Sequence, residues 1–347
     1  MLRNLPETIP ALFFHQARVY GKKTLFQAKR EGAYQPIPWS SAARDVRALG
    51  LSLKDLGVAP GDRVALLSEN RPSWAISDLG ILSVGAVTVP IYTTLGHAEI
   101  AHILDDAKAV GIIVSNESHA QTIRNIQGQV PSLRFVVQMD PGAFGLVPDG
   151  VHRFGELLGS GRAHREGEAE FFEGVHQIRP NDLASIIYTS GTTGLPKGVM
   201  LTHHNFLSNC KACAQVLPVT ERDRTVSFLP LSHVFERMGG YYFIMTVGGS
   251  IAYAESMETV ADNMREVRPT VVCAVPRFYE KLYAAVHSAV QASSPAKRRM
   301  FGWASGVART VAAAHAAGRR VGPLLGLKRW IASGLVFRKV RARLGGR

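Results

Sequence analysis

The sequence predicts an α/β protein with doubly wound, mostly parallel sheets that carry helices on both faces. Short β-branched apolar runs alternate with helix-length segments over residues 1–140, and the alternation resumes after residue 180. Strands separated by helices are typical of βαβ units, whose right-handed crossovers place helices on both faces of a parallel sheet. In addition, 46% of the 347 residues are hydrophobic, which is ample for a buried core.

The first block, residues 1–140, is predicted to form the first α/β subdomain. Its helices are expected where apolar residues recur at helical spacing, and its strands where β-branched residues cluster. In chain order the predicted elements are a helix at Ser40–Leu56, a strand at Arg63–Ser68, a helix from Pro72, a strand at Ala86–Tyr92, a helix at His97–Lys108, a strand at Gly111–Val114, a helix at Gln121–Ile126 and a strand at Leu133–Val137.

A connection and a second block follow. Residues 141–180 are rich in glycine, charge and histidine, so we expect a linker or surface connection there. Residues 181–290 are predicted to form a second α/β subdomain, with strands at Leu183–Tyr188, Thr225–Leu229, Ser250–Tyr253 and Thr270–Val275. From Pro276 onward the sequence is rich in alanine and arginine and predicts helices, and residues 291–347 form a basic helical segment.

The net charge of +13 belongs to this basic helical segment. Residues 291–347 contain 13 lysines and arginines and no acidic residue, whereas the other residues carry 27 basic and 27 acidic side chains. Such a localised charge suits anionic lipid, nucleic acid or an acidic substrate. The equally weighted alternative is a solvated basic surface that faces an acidic partner segment.

The sequence predicts no membrane-spanning segment, and its first residues do not have the pattern of a signal peptide. The longest apolar stretch, Leu79–Tyr92, is shorter than a bilayer requires. Near the start, Glu7 and two prolines interrupt the region where a signal peptide needs an unbroken apolar stretch. Three cysteines cannot form a disulfide framework and fit a reducing compartment. We therefore expect a cytoplasmic protein.

The most informative motif is the loop Tyr188–Gly198, which reads Tyr-Thr-Ser-Gly-Thr-Thr-Gly-Leu-Pro-Lys-Gly after an apolar strand. Glycines let backbone N–H groups approach a phosphate closely and adopt positive φ. Four hydroxyl side chains add donors, and Lys197 adds a point charge suited to the β- and γ-phosphates of ATP. The loop is not a P-loop, because only two residues separate Gly191 from Gly194 and glycine follows the lysine. A flexible surface turn is the alternative interpretation.

This run resembles the phosphate-binding signature of the acyl-adenylate-forming, or AMP-binding, superfamily, and the similarity continues through Val199–Asn205. That superfamily includes acyl-CoA synthetases, luciferases and the adenylation domains of peptide synthetases. The resemblance implies the large amino-terminal domain of an acyl-CoA synthetase-like fold. It also implies a catalytic role for Lys197 and a set of ATP-binding residues, namely Thr189, Ser190, Gly191, Thr192, Thr193, Gly194 and Lys197.

Two further motifs resemble the long-chain acyl-CoA synthetase branch. The first, Phe228–Arg237, contains His-Val-Phe-Glu-Arg, and the resemblance implies that His233 contacts the substrate carboxylate or gates its pocket. The alternative is a helix-capping or buried structural histidine. The second is Val275–Leu282. Together the two motifs imply a substrate pocket lined by His233, Val234, Phe235, Glu236, Arg277 and Phe278. The segments Pro60–Asn70 and Gly85–Tyr92 also match the family, but we assign them no chemistry.

The resemblance implies a reaction and its participants. ATP and a fatty acid form an acyl-adenylate, and the thiol of CoA, the co-substrate, then displaces AMP. Mg²⁺ is implied as a cofactor, but the family's Mg²⁺-holding Glu, adenine loop, ribose-binding Asp and carboxyl-terminal Lys are not found after Arg237. We therefore expect an amino-terminal fragment of a long-chain fatty acid–CoA ligase that is inactive alone. The alternatives are one half of a split ligase and a non-catalytic lipid- or protein-binding remnant.

The end of the chain suggests a partner. Val336, Val340 and Leu344 recur at i, i+4 spacing among basic residues, which predicts a helix that rests peripherally on an anionic membrane. The alternative is that these apolar positions pack on the half of the ligase that this chain is expected to lack. We expect no nucleic-acid partner.

Two features are interpreted as structural. Cys210 and Cys213 form a CxxC, but no second pair has zinc-site spacing and the motif falls in a predicted helix. The adjacent His203 and His204 point to different faces of a helix or loop, so they are not expected to share a metal.

Overall fold

The structure is a computed structural model that describes residues 5–140, 147–164, 167–189, 194–342 and 345–346. The chain divides into two compact units between Glu255 and Ser256. All strands of the described residues lie in the first unit, and the second unit is helical. The strands are β1 Thr24–Arg30, β2 Ala33–Pro38, β3 Arg63–Leu67, β4 Val87–Ile91, β5 Ala109–Val114, β6 Phe135–Gln138, β7 Val151–Arg153, β8 Leu183–Thr189, β9 Lys197–Thr202, β10 Arg224–Ser227 and β11 Ser250–Tyr253.

Helices connect these strands and make up the second unit. In the first unit they are α1 Ile9–Tyr20, α2 Trp39–Asp55, α3 Pro72–Ser83, α4 His97–Asp106, α5 Glu117–Ile126, α6 Phe154–Ala163, α7 Glu168–Gln177, α8 His203–Val216 and α9 Phe243–Val247, with a π-helical turn at Glu236–Tyr242. In the second unit they are α10 Val260–Val267, α11 Pro276–Gln291, α12 Pro295–Ala316, α13 Pro323–Ala332 and α14 Arg338–Ala342, with a π-helical turn at Ser333–Phe337.

The larger sheet confirms the predicted α/β class. Its seven strands lie in the order β7-β6-β5-β3-β4-β8-β9, and each neighbouring pair is parallel except β8 with β9. Side chains from β3, β5 and β6 pack with α4 and α5 in one core that includes Leu67, Ile112, Leu104 and Ile123. Because α3 contacts β3 and β4 as well, helices cover both faces of the sheet.

The smaller sheet joins distant parts of the sequence. Its order is β10-β11-β1-β2, with β1 parallel to β11 and antiparallel to β2. Phe26 pairs with Ile251, more than 200 residues later. Helix α3 also contacts β1, and nearly all its residues are buried, so it lies between the two sheets. A helix between two sheets is buried on all sides and not on one face alone, as α3 is.

Two of the predicted assignments of secondary structure are wrong. Residues 141–180 are not only a connection, because their described part contains β7, α6 and α7, and Phe171 and Val175 are buried. Their glycine and charge content concealed the few apolar side chains that dock these helices. The strand predicted at Thr270–Val275 belongs to no ladder of the described residues. Its β-branched composition signals strand preference, but a strand also needs a neighbouring strand with which to pair.

The second unit confirms the helices predicted after Pro276. Its small core joins α12 to α13 and the following π-helical turn through Ala304, Ala332 and Val336, with Phe301 and Phe337 packed against them. Within the described part of the chain, no helix combines the length and the apolar character that crossing a membrane requires.

Candidate functional site

The predicted phosphate-binding loop connects β8 to β9 at the carboxyl end of β8. The two strands are antiparallel, with Thr189 opposite Lys197 and Tyr188 opposite Gly198. Because β8 is parallel to β4, the loop begins at the sheet edge where the parallel strands end, and ligands of open α/β sheets bind at this edge. Of the predicted loop residues, Ser190, Gly191, Thr192 and Thr193 lie outside the described residues.

The described glycines of this hairpin have distinct structural roles. Gly194 has φ of +99°, a backbone conformation that residues other than glycine rarely adopt. A Cβ at Gly198 would lie 2.7 Å from Ile186 Cγ2, so the strand requires glycine opposite β8. Lys197, next to it, is exposed and forms no ion pair with any residue that the structure describes. Its ammonium group is therefore free to meet an anion.

Helix α4 holds both sides of the loop. The Tyr188 hydroxyl donates to Asp106 Oδ2 at 2.5 Å, and His102 Nε2 lies 3.1 Å from the carbonyl oxygen of Pro196. Since a carbonyl only accepts, His102 Nε2 is the donor. Burial, together with the Asp106 carboxylate, raises the pKa of Tyr188 above its usual range, so the phenol keeps its proton. His102 and Asp106 lie one helical turn apart, and their contact with the loop was not predicted.

A second loop, Ser227–His233, carries the predicted histidine, and Asn70 fixes it. Asn70 Nδ2 donates to Ser227 Oγ at 3.0 Å and to the Leu229 carbonyl at 2.6 Å, while Oδ1 accepts from the Leu231 backbone N–H at 2.9 Å. The segment between β3 and α3 thus positions the histidine loop. We assigned Asn70 no chemistry from sequence, because only the tertiary structure brings these residues together.

His233 is exposed at the start of the helix that this loop enters. Its Nδ1 accepts from the Phe235 backbone N–H at 3.1 Å, so the capping role given as the alternative occurs. With Nδ1 accepting, a neutral imidazole carries its proton on Nε2 and presents a donor. Val234 and Phe235 beside it are each 40% exposed, which gives the histidine an apolar surrounding.

Arg237, at the end of the same motif, is buried and holds three elements together. Its guanidinium pairs with Asp78 of α3 and donates to Ser185 Oγ of β8 at 2.6 Å and to the Tyr242 hydroxyl at 3.1 Å. Burial opposes its charge, but the Asp78 carboxylate and Tyr242 outweigh this and raise its pKa. A buried and fully bonded ion pair of this kind fixes geometry, so Arg237 is structural.

Glu236 is buried without a hydrogen-bond partner for either carboxylate oxygen among the described residues. Its side chain lies against Gly240 within the π-helical turn, where a Cβ would overlap it. Burial raises the pKa of Glu236 to about 8, although the nearby Ser227 hydroxyl lowers it in part. The carboxyl group is therefore mostly neutral at pH 7.

The remaining predicted residues are placed as follows. Arg277 and Phe278 lie in the first turn of α11, in the second unit, with Arg277 exposed and Phe278 partly buried. Their assignment to a substrate pocket with His233 stays a prediction. Across the described ranges, no group of three or more His, Cys, Asp or Glu side chains is arranged to hold a metal ion.

The histidine and cysteines of α8 have structural surroundings. His203 Nδ1 accepts from the Ile9 backbone N–H at 3.3 Å, and burial lowers its pKa to about 4. Burial also raises the pKa of the Cys210 thiol to about 12, which disfavours the reactive thiolate. Cys213 is likewise a free cysteine.

Comparisons with known proteins agree with the motifs. The family described as AMP-binding enzyme matches residues 13–327. The chain is 35% identical over 347 residues to the long-chain-fatty-acid–CoA ligase FadD15 of Mycobacterium bovis, with 98% of this chain and 55% of that protein covered. It is 30% identical to the long-chain-fatty-acid–CoA ligase ACSBG2 of Xenopus laevis, with 98% and 46% covered. The chain therefore spans about half the length of these curated relatives.

Solved structures show the same fold. The anthranilate CoA ligase AuaEII, in complex with anthranoyl-AMP, superimposes with a TM-score of 0.66 at 26% identity, covering 78% of this chain and 51% of that one. The amino-terminal domain of FACL13 from Mycobacterium tuberculosis, with an inhibitor bound, gives a TM-score of 0.66 at 25% identity, covering 78% and 63%.

Proposed function

The chain belongs to the AMP-binding enzyme family, and on that premise we propose that it carries the ATP-binding part of a long-chain fatty acid–CoA ligase. The observation that carries the proposal is the β8–β9 hairpin, which presents at the carboxyl edge of a parallel sheet an exposed lysine that pairs with none of the described acidic residues. The fatty acid is taken from the names of the relatives, which are long-chain-fatty-acid–CoA ligases.

The proposed reaction has two steps. The fatty acid carboxylate attacks the α-phosphorus of ATP, an O–P bond forms, and the bond to the β-phosphate breaks to release pyrophosphate. The CoA sulfur then attacks the acyl carbon and AMP leaves. In the first step the protein has to position two anions and neutralise charge. We propose that Lys197 neutralises charge on the β- and γ-phosphates. The hydroxyl groups of Thr189 and its neighbours would donate hydrogen bonds to the phosphates.

His233 is proposed to meet the fatty acid carboxylate. Its Nδ1 is held by the Phe235 backbone N–H, so Nε2 is the nitrogen that carries a proton for donation. A donor there would orient the attacking oxygen without removing its charge. Asn70 and the loop it fixes would keep this donor in place.

Mg²⁺ is implied by the family, where it would neutralise phosphate charge. Mg²⁺ at nucleotide sites is held by one or two carboxylates together with the phosphates, so the lack of a cluster of three metal-ligating side chains among the described residues does not bear on it. We derive no step through the metal. CoA as co-substrate, a cytoplasmic location and peripheral contact with anionic membrane complete the proposal.

ATP binding by the chain tests the proposal. Replacing Lys197 by alanine removes a charge-assisted contact worth about 1.5–3 kcal/mol, so we expect the Kd for ATP to rise about 10- to 150-fold. Equilibrium dialysis with radiolabelled ATP at fixed ionic strength measures this.

Lys22→Ala is the matched control, because Lys22 is an exposed lysine in the turn after α1, outside the β8–β9 hairpin. It removes the same charge and should leave Kd unchanged. An equal loss of affinity in both variants would mean that ATP responds only to net charge, and the proposal would fail.

A further inference from the structure

Helix α13 exposes large apolar side chains to solvent. Leu324, Leu327 and Trp330 are 68%, 55% and 74% exposed, and Leu335 in the following π-helical turn is 54% exposed. We call these four residues the α13 apolar face. Most exposed apolar residues on a protein occur singly, whereas a cluster with basic residues beside it marks an interaction site.

The opposite side of this segment forms the packing. Ala332 and Val336 are buried against Ala304 of α12, with Phe337 beside them. The prediction that Val336 belongs to a membrane-facing stripe is therefore wrong, because Val336 supplies the internal contact. Leu344, assigned to the same stripe, lies outside the described residues. Since the packed side is fixed, the α13 apolar face is held toward solvent.

Basic residues adjoin the face. Trp330 and Leu335 line a surface depression of about 400 Å³ together with Arg338 and Arg341. Both arginines are exposed, and Arg341 donates to Ser333 Oγ at 2.7 Å, which holds it at the rim. Residues 291–347 contain no acidic side chain, so no carboxylate of this segment competes for these charges.

We propose that the α13 apolar face, with Arg338 and Arg341, docks the protein on an anionic membrane surface. A tryptophan and three leucines beside arginines match the apolar interior, the interface and the negative headgroups of such a surface. A neutral apolar partner would gain nothing from the arginines, and a purely anionic one nothing from the leucines. The inference rests on the membrane contact included in the proposed function but not on its ATP chemistry, so the two assays fail independently.

Vesicle co-sedimentation of the full chain tests the face. Vesicles of phosphatidylcholine with 40% phosphatidylglycerol should bind the protein, and pure phosphatidylcholine should bind it far more weakly. The variant Leu324→Ser/Leu327→Ser/Trp330→Ala should lower the partition coefficient more than tenfold. Arg338→Gln/Arg341→Gln should lower it about 20- to 30-fold, because each basic residue near the surface contributes about 1 kcal/mol. Rising salt should weaken binding.

The matched control removes exposed apolar residues elsewhere. Val216→Ser/Met200→Ser changes two side chains that are 78% and 69% exposed in the first unit, and it should bind vesicles like the parent. Circular dichroism checks that all variants retain their helices. Parent-like binding by the α13 variant, or equal binding to neutral vesicles, overturns the proposal. The proposal is also overturned if the parent self-associates instead of binding vesicles and the α13 variant abolishes that self-association. The face would then contact a second copy of the chain.

Tryptophan fluorescence gives an independent readout. Trp39 and Trp74 are buried, whereas Trp303 and Trp330 are 40% and 74% exposed. A blue shift on adding anionic vesicles should disappear in Trp330→Phe and persist in Trp303→Phe. Persistence of the whole shift in Trp330→Phe would contradict docking through this face.

Discussion

Glu236 is an ionisable side chain whose charge the fold disfavours. It is buried in the motif that also contains His233, and neither carboxylate oxygen has a hydrogen-bond partner among the described residues. Burial raises its pKa to about 8 from a reference value of 4.5. Between these two values the unfolded chain loses this proton while the folded chain keeps it. The folded state therefore binds more protons, and its stability falls as pH rises through this window.

Replacing Glu236 by glutamine removes that titration. The free energy of unfolding of the variant, minus that of the parent, should increase between pH 4.5 and about 8 and then level off. The limiting slope is about 1.4 kcal/mol for each pH unit. Urea unfolding of both proteins at pH 5, 6, 7, 8 and 9 measures the difference.

Glu258→Gln is the contrasting control. The Ser256 hydroxyl and the Glu258 backbone N–H lower the pKa of the exposed Glu258, so this group is ionised in both the folded and the unfolded state above about pH 6. The stability difference between this variant and the parent should therefore stay constant from about pH 6 to pH 9. A pH-independent difference for Glu236→Gln would show that this carboxyl group is not held neutral.

The residues that we propose to meet a ligand could be predicted from sequence, whereas the residues that position them through the fold could not. Lys197 and His233 lie in recognisable sequence motifs, and both side chains are exposed in the structure. Asn70, His102 and Asp106 hold the same loops from distant positions in the chain. Their roles depend on contacts between loops and helices that no local pattern encodes.

At the scale of elements, close packing of α6 on α2 depends on a glycine. A Cβ at Gly161 would overlap the backbone carbonyl of Ala48, which cannot move without shifting α2. Gly161→Ala should therefore lower the free energy of unfolding by about 1–3 kcal/mol, the usual cost of overpacking. Urea unfolding at pH 7 measures the change.

Gly159→Ala, in the same helix, is the matched control. No atom lies within 4 Å of a Cβ at Gly159, so alanine should be neutral or stabilise the helix by about 0.5–1 kcal/mol. If both variants had the same stability, the close approach of α6 to α2 would be contradicted.

Element prediction succeeded where the signal was local. The segments from Arg63 to Val114 have the predicted order and nearly the predicted bounds, because apolar periodicity decides them. Strands β1 and β2 were missed, although they pair with each other as a local hairpin, because polar and charged residues interrupt their apolar pattern. Helices α6 and α7 were missed because the segment that contains them is mostly polar. In α7 the buried side chains are only Phe171 and Val175, which is too few for a clear helical pattern.

At the scale of the whole molecule, two regions present positive charge that could attract a polyanion such as ATP. The β8–β9 hairpin presents Lys197 at the sheet edge, and residues 291–347 carry 13 basic residues without acidic ones. Only the first has the strand-to-loop geometry that typifies nucleotide sites in open α/β sheets. Nonspecific attraction to the basic segment would be screened by salt, whereas a cradle of backbone and hydroxyl donors would be screened less.

Hydrogen–deuterium exchange of the chain with and without ATP at 0.15 M salt separates these regions directly. The account predicts that ATP slows exchange in peptides covering residues 183–202, and that Lys197→Ala abolishes this protection. Protection confined to residues 291–342, and unchanged by Lys197→Ala, would contradict a nucleotide site at the β8–β9 hairpin.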